Sequence, residues 1–235
     1  MPCADSVMAW IHQGKGCRWL ACFNPHSYVV SLDNAAFAHA LRNADWLVPD
    51  GVGIVLASRF LGGELRERVT GSDVFREVHK RLNETGGSVF LLGASEETLQ
   101  NIRAKLNRDY PNVRVTGSFS PPYKAEFSKQ DSEAMLATIN AVSPDILWVG
   151  MTSPKQDLWL YENRVHLNAK VAAAVGAVFD FYAGRIKRSP RFFQQIGLEW
   201  LPRLLQEPRR LWRRNFISTP VFVWHVLRQK LAGDG

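Results

Sequence analysis

Asp50 stands between Pro49 and Gly51, directly after a short apolar run and at the start of a helical pattern. An aspartate in that place does one of two things. It caps the helix by accepting hydrogen bonds from the first N–H groups, or it aims a carboxylate into a cleft from a stiff turn, as a general base must. Gly51 and Gly53 favour the second use, because they let a ligand approach the backbone. Arg68 opens the stretch Arg68-Val69-Thr70-Gly71-Ser72-Asp73 between two helical patterns. Taken alone it reads most simply as a surface arginine paired with Glu64 or Glu67. The alternative is a phosphate ligand, since a guanidinium fork matches phosphate oxygens and the Thr70-Gly71-Ser72 turn can offer N–H groups at a helix start. Gly93-Ala94-Ser95 and Gly150 through Gln156 are further glycine-containing turns of the same strand-to-helix kind.

Absent motifs narrow the chemistry. There is no G-x-G-x-x-G and no G-x-x-x-x-G-K-[ST], which disfavours a dinucleotide oxidoreductase, a nucleotide-sugar epimerase and a P-loop NTPase. No D-x-D occurs, and the six histidines, at 12, 26, 39, 79, 166 and 225, show no H-E-x-x-H spacing, so no metal and no cofactor are expected. Cys3, Cys17 and Cys22 lack C-x-x-C spacing and fit a reducing compartment better than a disulfide framework or a zinc site.

The elements that would hold these turns alternate. Apolar runs at Trp19–Phe23, Trp46–Val48, Val89–Leu92, Val113–Thr116, Ile146–Val149 and Val171–Val175 read as strands. Amphipathic stretches at Ser31–Arg42, Gly51–Leu61, Ser72–Thr85, Glu96–Asp109, Ser128–Ala141 and Lys155–His166 read as helices. Such alternation predicts an α/β fold, a Rossmann-like parallel sheet with helices on both faces. Ligands then bind at the carboxyl ends of the strands. Four loops lie there: Asn24-Pro25-His26, Pro49 through Gly53, Gly93 through Ser95, and Gly150 through Gln156.

The 235 residues carry a formal charge of +7, unevenly placed. Residues 1–184 hold 18 Lys/Arg against 19 Asp/Glu, whereas residues 185–235 hold 11 against 3. We therefore divide the chain into an α/β catalytic domain, 1–184, and a basic amphipathic helical appendage, 185–235, whose partner should be anionic. At helical spacing Arg203, Arg210 and Arg214 share one face, with Trp200, Leu204 and Leu211 beside it, unless Pro208 shifts the phase. Arg209, Arg213, Trp212 and Phe216 add anchors suited to a membrane interface. No signal peptide is recognised, and no apolar run approaches the length of about 18 residues that a membrane span needs.

Together these segments resemble the WecG/TagA/CpsF family of bacterial glycosyltransferases. The resemblance rests on Asn24-Pro25, Val48-Pro49-Asp50-Gly51-Val52-Gly53, Arg68 through Asp73, and Val149 through Asp157. It extends through Val175 to Gly184 and the run from Lys187-Arg188-Ser189-Pro190 to Pro208-Arg209-Arg210. It implies inverting, metal-independent transfer of a hexose, N-acetylhexosamine or uronic acid. The donor would be a UDP-sugar and the acceptor an undecaprenyl-diphosphate-linked glycan, at the inner face of the cytoplasmic membrane, in cell-surface polysaccharide synthesis. Asp50 matches the family's proposed base, Arg68 a residue proposed to stabilise the departing diphosphate, and Gln156 a polar residue of the substrate pocket. Asn24 matches the Asn of a T-x-N motif whose Thr is Cys22 here, a weaker hydrogen-bond donor. Gly51, Thr70, Gly150 and Lys155 complete the expected substrate-binding set, and Arg203, Arg210 and Arg213 are the appendage arginines expected to reach a diphosphate. An anionic membrane surface and a homo-oligomer are among the partners considered. The rival from another class is a basic-tailed nucleotide- or nucleic-acid-binding regulatory module stacking bases on the interleaved Trp and Arg residues. Such a module would not need Asp50 and Arg68 at the sheet rim, so no nucleic-acid partner is expected.

Overall fold

The computed structural model describes residues 1–14, 16–186, 189, 193 and 200–233, with the side chains of Arg203 and Arg210 outside that description. Six strands, β1 (Arg18–Phe23), β2 (Trp46–Pro49), β3 (Gly87–Gly93), β4 (Val113–Phe119), β5 (Ile146–Gly150) and β6 (Val171–Ala174), form one parallel sheet in the order β2-β1-β6-β5-β3-β4. The inner strands are mostly apolar, with Trp19, Phe90 and Trp148 among their Val, Leu, Ile and Ala residues, because a parallel sheet is covered on both faces.

Successive residues therefore feed two cores. Leu20, Val89, Leu91, Trp148 and Ala173 face α1 (Pro2–Gln13), α5 (Gly71–Thr85), α6 (Glu96–Asp109) and α9 (Val178–Ala183). Trp19, Ala21, Phe90, Leu147 and Ala172 face α3 (Ala35–Arg42), α7 (Lys129–Asn140) and α8 (Lys155–Asn163). The connection from β1 thus leaves toward one face, while those from its neighbours β2 and β6 reach helices on the other. Such a reversal opens a crevice at the carboxyl ends of the strands where it occurs, and here β1 closes there with Cys22-Phe23, followed by Asn24.

The strands extend the expected spans by one to three residues, apart from the last, which closes one residue early, at Ala174. The helices differ more. α1 and α9 were not expected. The stretch expected as one helix, Ser31–Arg42, is interrupted at Asn34, whose backbone is extended and whose side chain accepts from Phe37 N to cap α3. What precedes it is a separate helix, α2 (Pro25–Asp33), so Asn24-Pro25-His26 is a helix start rather than a free loop. α4 spans Val52–Phe60.

In the basic tail, α10 (Trp200–Gln206) ends before Pro208, which opens α11 (Pro208–Arg213). A π-helical turn, Arg214–Ser218, leads into α12 (Thr219–Ala232). The break at Pro208 means that no single helix carries the arginines at 203, 210 and 214. α12 packs on α2 and α4, against the rim. Among the described residues no helix is long and apolar enough to cross a membrane.

Candidate active site

The rim is assembled by short backbone bonds. Asp50 N donates to Phe23 O at 2.8 Å, fixing the loop after β2 to the end of β1, and Val69 N donates to Pro49 O at 3.3 Å. The segment carrying Arg68 is therefore held against the turn carrying Asp50. Asp50 does not occupy the cap position of α4. That position falls to Gly51, whose φ of 116° is a backbone conformation glycine adopts without strain. Asn24 caps α2 from the same rim, its Oδ1 accepting from His26 N at 3.0 Å and Ser27 N at 3.1 Å.

The Thr70-Gly71 turn is closed by its own groups. Thr70 N and its hydroxyl both donate to Asp73 Oδ2, at 3.1 and 2.7 Å, and Asp73 N donates back to Thr70 Oγ1 at 3.2 Å. The Gly71 N–H turns to Cys22. The start of α5 is a capping box carrying a carboxylate, so it is not the open anion site that the turn's composition suggests, and Arg68 is the cation this segment offers. Cys22 lies beneath it. Burial pushes its thiol well above the ordinary value, and the Asp50 and Asp157 carboxylates push the same way, so it stays a neutral thiol.

On the other flank, the loop after β5 is built around Gln156. Its side chain is 4% exposed, and its Oε1 accepts from Met151 N at 3.1 Å. Gly150 fits because a Cβ there would stand 2.2 Å from the Phe179 ring. Lys155, one residue away, is not brought to Asp50 by any described contact. Its ammonium donates to Lys124 O at 2.7 Å and sits 4.5 Å from the centre of the Phe127 ring. Asp157 is the residue here that sequence reasoning missed as a feature of the site. It is 1% exposed, and its Oδ2 has no hydrogen-bond partner. Burial raises its carboxyl to about 7, against hydrogen bonds from Ser153 and its own N–H.

The appendage comes to the same rim. His26 Nδ1 lies 2.8 Å from Ser218 Oγ, and Tyr28 meets Phe222 edge to face at 5.3 Å. His26 is held below its ordinary pKa by burial and then by the charges of Arg214 and Arg213. Those two arginines are thus placed beside the capped start of α2. His26, Ser218 and Arg214 were not among the expected site residues, although Asn followed by Pro is itself a helix-start signal. The expected roles of Arg203 and Arg210 fall on side chains outside the described residues, and the motif stretch from Lys187 to Glu199 lies almost wholly outside them. Among the described residues no three His, Cys, Asp or Glu side chains converge in a way that could hold a metal ion.

A doubly wound sheet that gathers a carboxylate, an arginine and a glycine turn at one switch point is the frame of an α/β enzyme acting on phosphorylated ligands. Residues 2–234 match the family described as "Glycosyl transferase WecG/TagA/CpsF family". The chain belongs to that family and is a glycosyltransferase. Among its relatives are two proteins named N-acetylglucosaminyldiphosphoundecaprenol N-acetyl-beta-D-mannosaminyltransferase. The one from Bacillus spizizenii is 30% identical over 223 residues, 95% of this chain and 83% of the relative. The one from Bacillus subtilis is 28% identical over 211 residues, 90% and 79% of the two.

Proposed function

We propose that the chain transfers a sugar from a UDP-sugar to an undecaprenyl-diphosphate-linked acceptor, inverting the anomeric centre and without a metal ion, in cell-surface polysaccharide synthesis. The observation that carries this reading is the pinning of the Asp50 turn and the Arg68 segment to the adjacent ends of β1 and β2 by the bonds at Phe23 O and Pro49 O. Asp50 accepts the proton of the acceptor hydroxyl as its oxygen attacks the anomeric carbon. The bond to UDP breaks on the opposite side, and Arg68 stabilises the charge that develops on the departing diphosphate. Arg213 and Arg214, beside the start of α2, supply further positive charge for either diphosphate.

The appendage docks the enzyme on the inner face of the cytoplasmic membrane. Trp212 and Phe216 are each more than half exposed. They are interspersed with Arg209, Arg213 and Arg214, a combination suited to an anionic interface. The relatives' names make an N-acetylglucosaminyl-diphosphate lipid the first acceptor to try and N-acetylmannosamine the first donor sugar. The test is UDP release from a panel of UDP-sugars with and without that acceptor. Acceptor-dependent release with one sugar is expected. No release with any sugar in the presence of acceptor overturns the reading.

A further inference from the structure

α4 and α12 leave an apolar groove between them. Phe60 of α4 and Trp224, Leu227 and Leu231 of α12 line it, with Arg228 and Lys230 at its edge, around a volume of about 270 Å³. Val52 and Leu56 precede Phe60 at four-residue steps, so the three fall on one face of α4. A stripe of that kind ordinarily turns to the core, yet these side chains are 38%, 56% and 48% exposed. The two helices run side by side in the same direction. Phe222, in the first turn of α12, lies 3.9 Å from where a Cβ on Gly53 would stand, and Phe60 shares the groove with Leu227 and Leu231 near the other ends. The stripe therefore begins beside the Asp50 turn and leads away from it for roughly 12 Å at the helical rise.

We propose that this stripe and groove seat the proximal part of the acceptor's polyisoprenoid chain, as a site distinct from the membrane contact of the appendage. This rests on the lipid-linked acceptor proposed above. An acceptor whose sugar stands at Asp50 carries its diphosphate toward the arginines beside α2, and the hydrocarbon beyond the diphosphate must cross the protein surface. The face of α4 is an apolar path starting at that point, and its walls are carbon, which leaves water there without partners. Arg228 and Lys230 stand where the chain would leave the groove, matching the anionic surface it would enter.

The test reads binding apart from turnover. The full chain is titrated calorimetrically with farnesyl diphosphate and, separately, with inorganic diphosphate. We expect the prenyl compound to bind at least about tenfold more tightly, the order given by removing a few methylene groups from water. The double variant Leu56→Gln/Trp224→Gln, at two exposed positions, should erase that margin and leave the affinity for inorganic diphosphate unchanged. Phe60→Ser should act in the same direction. With a long-chain acceptor the double variant should raise the acceptor KM about tenfold at constant kcat and donor KM, and leave a chain-free sugar diphosphate unaffected. Equal affinity of the two probes for the wild type overturns the groove, as does equal loss of both in the variant. A variant that keeps the margin but loses vesicle flotation assigns the patch to the bilayer. One that keeps it but converts a dimer to a monomer assigns the patch to a second copy. Both results overturn the proposal. Absence of turnover with every UDP-sugar defeats the function proposed above while leaving the prenyl margin measurable.

Discussion

In the function proposed above, the rim of the sheet and the basic tail answer the same substrate in different ways. At the rim, Asp50 and Arg68 stand on turns whose backbones are bonded to strand ends, so their positions are set by the sheet. The tail places its charge on short helices interrupted at Pro208, with Trp212 and Phe216 turned outward. Positioning to a fraction of an ångström is what proton transfer and leaving-group stabilisation need. Adhesion to a charged surface needs only the summed field of several cations. We therefore expect substitutions at the rim to change turnover steeply, and substitutions in the tail to change binding in small increments.

Asp50→Asn is the sharpest way to break that contrast. The amide keeps the shape and loses the basicity, so kcat should fall by about 10²–10⁴-fold with little change in donor KM. Turnover within about threefold of wild type would remove Asp50 from the base role. Arg68→Lys keeps the charge and loses the fork, and should cost on the order of a hundredfold in kcat. The proposed mechanism assigns the diphosphate to Arg68 rather than to a metal, so EDTA should leave the wild-type rate unchanged. Activity abolished by EDTA and restored by magnesium or manganese would show that Arg68 is not the main stabiliser of the diphosphate.

The tail should respond more gently. Arg213→Ala and Arg214→Ala should each weaken flotation with anionic vesicles by about 1 kcal/mol, roughly fivefold, with the effect fading at high salt. Flotation equal to wild type in the double variant would leave these arginines to the active site alone.

How far the sequence anticipates this arrangement differs between the two regions for physical reasons. The six strands were legible because a buried parallel strand is a run of apolar residues bounded by glycines and polar turns. The Asp50 turn was legible because it falls at such a strand's end. The helix at Pro25 was hidden because its apolar face is small, Ser27 being its only buried residue. The break at Asn34 depends on a side-chain cap that periodicity does not register. The closing of Thr70-Gly71 depends on Asp73 reaching back, a local pairing that competes with phosphate binding for the same N–H groups. Lys155 shows a similar limit. Its place in a glycine-containing loop says nothing of the Lys124 carbonyl and Phe127 ring that occupy its ammonium. In the tail the charge excess was plain, whereas the side of each helix that faces α2 and α4 required the three-dimensional packing.

Asp157 sharpens the comparison from the rim's side, because it should affect stability and leave turnover nearly untouched. Its carboxyl is sealed beneath the loop after β5, and burial raises it from 3.8 to about 7. The folded protein therefore keeps a proton there across a pH range in which the unfolded chain has released it. The stability this contributes is fully present below about pH 4 and is lost as pH rises through about 7. Asn has nearly the same shape and cannot ionise, so Asp157→Asn escapes that loss. Near pH 4 the two proteins should melt together. Near pH 8 the variant should melt several degrees higher, which corresponds to an expected difference of a few kcal/mol in a chain of this size. Burial of an unpartnered oxygen is the cause, so the gap should open with a single titration rather than drift with net charge. The same gap at pH 5 and pH 8 would mean that Asp157 is ionised in the folded protein throughout, with a partner for its Oδ2. In that event the rim would hold two carboxylates, and the low turnover expected of Asp50→Asn would have to be measured again in the Asp157→Asn background before Asp50 could be called the sole base.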